Sequence, residues 1–286
     1  DIVPMRFIGI TQGFSQRHSL YTGPSRYLVP FVPVPTGFKR SHITLPLIRQ
    51  DVMSFQNDIK LMPDDPALRL AVNITRHAFH IPKVSMIHLN DVFKKNDLNI
   101  WSSSPGLPWK DLGYKTKRDI KEDHHAINKV RWFWHKVKNG QRMRAPDCCA
   151  FVRAHLVAED ENKVRAVWGY PATLTFGEAM FAVPLIEGYS KSHTPIAYGY
   201  ETALGGAYKI VRELSPFPYK TALDFKSFDK TVPEWLIRKA FSILKDNVDF
   251  GTYQDYGVAN AEHNARMWEY IVDYFINSTI RLANGE

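Results

Sequence analysis

The 286-residue chain is 44% hydrophobic, enough for a substantial core in one large domain or two modest ones. Its net charge of +8 favours a polyanionic partner, and its two adjacent cysteines exclude a disulfide framework and fit a reducing compartment. Nothing resembles a signal peptide, and no apolar run approaches the roughly 18 residues of a membrane helix, so we expect no membrane partner. Because the chain begins at Asp1 rather than at a methionine, we expect its N-terminus to be trimmed or processed.

The first 48 residues are rich in proline and predict an extended segment that lies over another surface. The stretch 101–109, with sequence WSSSPGLPW, predicts a stiff loop whose amides and hydroxyls could contact phosphates. A plain turn is the simpler explanation of that loop. Helices are predicted over 66–79, 119–138, 176–189, 207–214, 235–244 and 260–278, and Pro184 is expected to kink or end the third of them.

The positive charge is concentrated in one stretch of the chain. Residues 110–144 hold eleven lysines and arginines against four aspartates and glutamates, so this stretch carries +7 of the net +8. A solvated basic surface is the ordinary explanation. Aromatic residues among the cations also suit single-stranded nucleic acid, which predicts salt-sensitive RNA binding here.

Two strands are predicted over 151–156 and 163–171, with an acidic turn between them. Lys163 and Arg165 alternate with Val164, so their side chains share one face of the second strand. Two cations on one face can grip a triphosphate, with arginine as a planar fork and lysine as a point charge. Solvated charges on a surface strand are the simpler alternative.

The stretch 221–233, TALDFKSFDKTVP, predicts a short strand ending at Asp224, a tight turn, and a helix opening at Pro233. A carboxylate fixed at a strand end is what two-metal nucleotidyl transfer needs. Asp229 follows five residues after Asp224. For an isolated pair at this spacing, a strand-end residue and a turn former would be the ordinary explanation.

Three blocks of the chain resemble motifs of viral RNA-dependent RNA polymerases, in the form found in partitivirus-like double-stranded RNA viruses. The phrase LDFKSFDKTVP resembles motif A, Lys-x-Arg-x-Val-Trp-Gly-x-Pro at 163–171 resembles motif F, and the loop 101–109 resembles motif G. Their order along the chain also matches that family. The phosphatase pattern D-x-D-x-T does not fit, because Asp224 is followed by Phe225 and Lys226.

The resemblance implies a role for each matching residue. Asp224 would be catalytic and bind Mg²⁺ or Mn²⁺, and Asp229 would help to select a ribonucleotide. Lys163 and Arg165 would hold the phosphates of the incoming nucleoside triphosphate, with Arg153 as a further candidate. The template strand would be guided by Ser103, Ser104 and Gly106.

The resemblance also implies an α+β right-hand polymerase fold, of which the chain holds the fingers and the start of the palm. The expected divisions are an extended segment over 1–48 packing on the fingers, fingers over 49–214, and the beginning of the palm over 215–286. No Ser-Gly loop of the motif B type and no Gly-Asp-Asp follows Asp229. We therefore expect an incomplete palm and an inactive segment, completed by palm and thumb in the same or a second chain.

The predicted function is templated nucleotidyl transfer in viral RNA replication and transcription. The expected partners are an RNA template and product and nucleoside triphosphates, with a capsid protein as a further candidate. The expected location is the virion and the host cytoplasm. A non-catalytic basic RNA-binding or capsid-associated protein is the alternative, in which residues 110–144 would be the whole function. A reverse transcriptase or another palm nucleotidyltransferase fits the loop and the Lys-x-Arg pattern less well.

Overall fold

The computed structural model describes residues 37–285, apart from 57 and 59. Its helices are α1 (Leu45–Met53), α2 (Pro66–Ala78), α3 (Leu89–Lys94), α4 (Lys117–Glu122), α5 (His124–Lys138), α6 (Ala172–Ser190), α7 (Gly206–Leu214), α8 (Phe228–Thr231), α9 (Glu234–Asp246) and α10 (Ala261–Asn277). Its strands are β1 (Phe38–Arg40), β2 (Val84–Met86), β3 (Cys148–Ala154), β4 (Leu156–Ala158), β5 (Val164–Gly169), β6 (Val248–Tyr253), β7 (Gly257–Val258) and β8 (Ile280–Arg281).

The described strands form three small sheets. β1 pairs with β4, β6 lies between β2 and β7, and β3 lies between β5 and β8. The β3–β5 pairing is antiparallel, whereas β2–β6 and β3–β8 are parallel. Helices combined with mixed sheets confirm the α+β class.

The main core lies where α5, α6 and α10 pack together. α6 is apolar on all sides, as expected of a helix surrounded by protein. Trp134 of α5 is almost fully buried, and its indole N–H donates to the carbonyl oxygen of Thr173 at 2.8 Å. This core holds α5 and the N-terminal end of α6 in a fixed relation, which in turn fixes the loops that precede both helices.

A second, smaller core lies under α1. Ile48 of α1 packs with Ala150 of β3, Val164 of β5 and Leu282. Because side chains alternate along a strand, this packing covers one face of the β5–β3–β8 sheet and leaves the side chains between these positions on the opposite face. The position of α1 therefore decides which face of β3 and β5 can meet a ligand.

Most predicted helices are confirmed within a few residues at their ends, but one is wrong. Residues 119–138 do not form one helix, because Asp123 is extended and caps α5 through its carboxylate. Of the two outcomes predicted at Pro184, an end of the helix is excluded, because α6 continues to Ser190. Of the predicted extended segment over 1–48, residues 1–36 lie outside the described residues. The remainder contains β1 and the start of α1 at Leu45, so it is not extended throughout. None of the helices in the described ranges is long and apolar enough to cross a lipid bilayer.

Candidate active site

Two arginines lie side by side on the sheet that carries β5. In the antiparallel pairing of β3 with β5, Arg153 stands directly opposite Arg165, and both side chains are exposed. Lys163 lies two positions before Arg165, just outside the strand, and continues the same face. We call Arg153, Lys163 and Arg165 the cationic face. The structure brings together the three residues for which the resemblance predicted phosphate contacts.

The cationic face holds three positive charges close together. Like charges directly opposite each other on neighbouring strands destabilise a sheet, by up to about 1 kcal/mol. The pKa of His155 is lowered by burial and then by the nearby charges of Arg165, Lys163 and Arg153. An anion bound on this face would relieve the repulsion, and phosphate oxygens match the planar donors of arginine.

The cationic face adjoins the loop 101–109 through Lys110. The Lys110 Nζ lies 5.2 Å from the ring centroid of Phe151, which is two positions before Arg153 on β3. The Phe151 ring in turn covers Gly169, where a Cβ atom would come within 2.2 Å of it. Glycine at position 169 therefore allows Phe151 to lie flat along the sheet between the cations and the loop.

The predicted strand over 221–225 is wrong. In the part of the chain that the structure describes, these residues form no regular element and pair with no strand. Leu223 and Phe225 are 80% and 67% exposed, so the apolar side chains that predicted a strand lie against no core. Asp224 is exposed between them and stands in irregular chain rather than at a strand end.

The turn after Asp224 leads into the short helix α8. Ser227 precedes α8 with φ 53° and ψ 40°, a left-handed conformation that is uncommon for a residue other than glycine. Asp229 lies in the first turn of α8 and is exposed. The predicted helix after Pro233 is present as α9 and begins at Glu234.

Asp51 of α1 joins this turn to the motif F strand. One carboxylate oxygen of Asp51 accepts a 2.7 Å hydrogen bond from the backbone N–H of Ala166 in β5. The other forms an ion pair with Lys230, which directly follows Asp229 in α8. The side chains of Asp51 and Lys230 are only 13% and 20% exposed. This contact places the start of α8 beside the edge of β5 that faces away from β3.

Aromatic packing supports the same junction. Phe55 lies just after α1, with its ring centroid 5.2 Å from that of Trp168 in an edge-to-face arrangement. The Nζ of Lys230 lies 5.3 Å from the Phe55 ring centroid. Lys230 therefore has both an anionic and an aromatic partner, which restricts the position of α8 relative to β5.

The carboxylates of this region do not amount to a metal site. Across the described residues, no three His, Cys, Asp or Glu side chains come together as a group that could hold an ion. Two-metal chemistry requires several oxygen ligands around the two ions. Asp224 could supply one such ligand but not the set, so its assignment as a metal ligand stays a prediction.

The loop 101–109 is held firmly against the start of α6. Pro105 accepts a hydrogen bond from the backbone N–H of Ala172 at 2.7 Å. Gly106 has φ +64°, and a Cβ atom there would lie 2.6 Å from the carbonyl oxygen of Tyr170. Only glycine meets both demands without a shift of the backbone. Ser103 is exposed and Ser104 partly exposed, although the Ser103 amide and hydroxyl both donate to the Ile100 carbonyl oxygen and the Ser104 hydroxyl accepts from the Gly106 N–H.

A buried lysine supports this loop from below. Lys117, 6% exposed, donates to the Ser103 hydroxyl at 3.0 Å and to the Ser104 carbonyl oxygen at 2.6 Å. Burial lowers the pKa of Lys117 to about 8, against the opposing charge of Glu178. Burial raises the pKa of Glu178 to about 7, although Tyr170 and Lys117 oppose that rise. The loop therefore rests on a pair of groups whose charges are costly to bury.

The raised pKa of Glu178 predicts a specific pH dependence of stability. The folded state prefers the protonated carboxyl, so this contribution is fully present below the unfolded value of 4.5 and is lost as the pH rises through about 7. Between these limits the Glu178→Gln variant should gain about 3 kcal/mol in free energy of unfolding relative to wild type. Urea denaturation of both proteins across this pH range measures the difference. If the difference in free energy of unfolding does not change with pH, the raised pKa is contradicted.

The basic stretch 110–144 does not form one surface. Lys117 is buried under the loop 101–109. Lys121 donates to the Lys95 carbonyl oxygen at 3.1 Å, and Lys138 donates to the Tyr253 hydroxyl at 3.1 Å. Only part of the +7 excess therefore faces solvent on the side of α5 next to the loop, so the predicted RNA track must be narrower than the stretch.

Comparison with known proteins decides the family. Residues 27–286 match the family model described as viral RNA-dependent RNA polymerase. The chain belongs to the viral RNA-dependent RNA polymerase family. This confirms the resemblance found in its motifs, and it favours the polymerase prediction over a non-catalytic RNA-binding protein.

Two similar proteins are named RNA-directed RNA polymerase. The one from Cryptosporidium parvum virus 1 (strain KSU-1) is 26% identical over 235 residues, covering 79% of this chain and 41% of that protein. The one from White clover cryptic virus 1 (isolate Boccardo/2004) is 25% identical over 141 residues, covering 44% of this chain and 23% of that protein. This polymerase chain thus spans about two fifths or less of the length of these relatives.

Sequence reasoning missed the residues that hold the polymerase motifs together. Three such residues lie outside the motifs and meet them only in the folded chain. Asp51 bonds to Ala166, Lys117 bonds to Ser103, and Glu178 interacts with Tyr170. A signal existed for Glu178, because a carboxylate within an otherwise apolar helix is unusual. Asp51 lies among exposed and partly buried residues of α1, and its sequence context carries no comparable signal.

Proposed function

We propose that this segment binds the incoming nucleoside triphosphate and the template in an RNA-directed RNA polymerase. The reaction is templated attack of an RNA 3′-hydroxyl on the α-phosphate of the nucleotide. The cationic face would hold the phosphates, and Ser103, Ser104 and Gly106 would guide the template strand. Family membership supports the reaction class, and the geometry of β3 and β5 supports the division of roles.

The cross-strand pair of Arg153 and Arg165 is the observation that carries this proposal. Two exposed guanidinium groups held opposite each other offer several planar donors to phosphate oxygens in one direction. Lys163 adds a third charge on the same face. Negative charge that develops on the β- and γ-phosphates as they leave would be stabilised there without movement of the sheet, because α1 fixes its other side.

The remaining components of the enzyme are proposals of the same kind. Mg²⁺ or Mn²⁺ is the proposed cofactor, with Asp224 as one ligand and further carboxylates supplied from outside this segment. Asp229 would contribute to the selection of ribonucleotides. We propose that a downstream palm and thumb portion, in the same or a second chain, completes the site. The enzyme would work in the virion and host cytoplasm, with a capsid protein as a further candidate partner.

The role of the cationic face can be tested by replacing Arg165 with glutamine in the complete polymerase. Loss of a charge-assisted contact to phosphate should raise KM for nucleoside triphosphates about tenfold to a hundredfold. The same variant should unfold at a slightly higher denaturant concentration, because the repulsion with Arg153 is gone. Primer extension at varied nucleotide concentration and urea denaturation measure the two effects.

Arg212→Gln is the matched control, since Arg212 is an exposed arginine on α7. It should leave KM unchanged. If Arg165→Gln also leaves KM unchanged, the cationic face is a solvated surface strand and the proposed phosphate site is wrong.

A further inference from the structure

A groove runs between α5 and the loop that follows residue 107. It encloses about 450 Å³, within the range of about 300–1,000 Å³ typical of ligand sites. Pro108, Leu112 and Pro146 line it together with Trp132 of α5. Leu107, Pro108 and Trp109 of the loop 101–109 line the groove, so it lies beside the loop that carries the proposed template-guiding residues.

Trp132 is exposed where tryptophan is usually buried. Its side chain is 56% exposed, as is that of Leu112 across the groove, also at 56%. On the same helix, Trp134 is 1% exposed in the main core. Trp132 is thus not needed to complete the core of α5, and more than half of its side chain is open to a ligand.

The groove is positively charged. Lys129 and Arg144 line it and are exposed, and the Lys136 Nζ lies 5.2 Å from the centroid of the Trp132 ring. One carboxylate, Asp147, also lines it, but this group forms an ion pair with Arg281. An aromatic platform flanked by cations is the arrangement that binds single-stranded nucleic acid through base stacking and phosphate contacts.

We propose that this groove binds single-stranded RNA, with one base stacked on Trp132 and the neighbouring phosphates held by Lys129 and Arg144. The inference rests on the proposed function, because the groove would receive the template strand beside Ser103 and Ser104. The positive charges of Lys129, Lys136 and Arg144 disfavour a positively charged partner. The groove also lies beside the loop 101–109, which supplies Pro108 to its lining. The site thereby gains a substrate subsite outside the three motifs.

The test measures direct binding of labelled RNA to the full 286-residue chain by fluorescence anisotropy. The probes are a short oligoadenylate and an abasic ribose-phosphate oligomer of the same length and charge. Trp132→Ala should weaken oligoadenylate binding about five- to a hundredfold and leave the abasic oligomer almost unaffected. Trp132→Phe should retain most of the oligoadenylate affinity, since it keeps an aromatic face.

Substitutions of Lys129 and Arg144 test the phosphate contacts independently of base stacking. Lys129→Gln and Arg144→Gln should weaken both probes and should each lower the salt slope of log K by about 0.7. Tyr219→Ala, at a 90% exposed aromatic residue outside the groove, is the matched control and should change nothing. Circular dichroism melting should show no loss of fold in Trp132→Ala, because that side chain lies largely in solvent.

Two results would overturn the proposal. The first is wild-type oligoadenylate affinity in Trp132→Ala, and the second is an equal loss of affinity for both probes. If the chain self-associates through Trp132 and binds no base there, Trp132→Ala will keep the wild-type oligoadenylate affinity. The occupant of the groove would then be a second copy of this chain. Because binding needs no nucleotide addition, a polymerase assay that fails leaves this test intact, and a failed binding test leaves the phosphate site on β3 and β5 standing.

Discussion

Replacing Asp224 with asparagine in the complete polymerase is expected to lower the rate of primer extension roughly a thousandfold. The change removes one negative charge with little change in shape. A carboxylate that holds a catalytic cation contributes several kcal/mol of charge stabilisation, and each 1.36 kcal/mol corresponds to a tenfold change in rate. The segment 1–286 alone should not extend a primer, and addition of the missing downstream portion should restore synthesis.

Asp229→Asn is the matched comparison, because Asp229 lies on the same exposed turn and loses the same charge. It should reduce the rate less than Asp224→Asn does and should loosen the discrimination between ribonucleotides and deoxyribonucleotides. Extension assays with both nucleotide types, run side by side, separate the two roles. Full activity of Asp224→Asn would reduce that residue to an ordinary surface aspartate, and robust synthesis by 1–286 alone would show that the segment is sufficient.

The phosphate-binding part of the site could be predicted because its signals are local. Alternation along one strand was enough to put Lys163 and Arg165 on one face. The opposition of Arg153 and Arg165 depends on the register of β3 and β5, which the sequence suggested only through two neighbouring apolar runs. Residues 155–163, which include β4, separate β3 from β5, so no tight turn sets this register and it depends on how the sheet packs.

The motif A strand was mispredicted because a strand is not a local property. Leu223 and Phe225 alternate with polar residues as a half-buried strand requires, yet they remain exposed and unpaired to any described strand. Backbone hydrogen bonds to a neighbour stabilise a strand, and no pattern within five residues can supply that neighbour. The same limit explains the break at Asp123, where a capping contact outweighs a continuous apolar stripe.

Asp51→Ala is expected to lower the free energy of unfolding of the chain by about 2–3 kcal/mol. It removes the acceptor of the Ala166 N–H and the carboxylate that pairs with Lys230, both in a partly buried place. Asp51→Asn should cost less, because an amide oxygen can still accept from Ala166. Urea denaturation measures both. Glu269→Ala, which breaks an exposed ion pair with Lys245, is the control and should cost under about 1 kcal/mol.

A double-mutant cycle decides whether Asp51 acts by joining the two motifs. If the contact with Lys230 is what matters, Asp51→Ala and Lys230→Met should be clearly non-additive, since each alone removes the same ion pair. In the complete polymerase, Asp51→Asn should then raise KM for nucleoside triphosphates while the chain stays folded, because α8 is no longer held beside the strand that carries Arg165. Additive stabilities and an unchanged KM would instead mean that Asp51 merely caps the edge of β5.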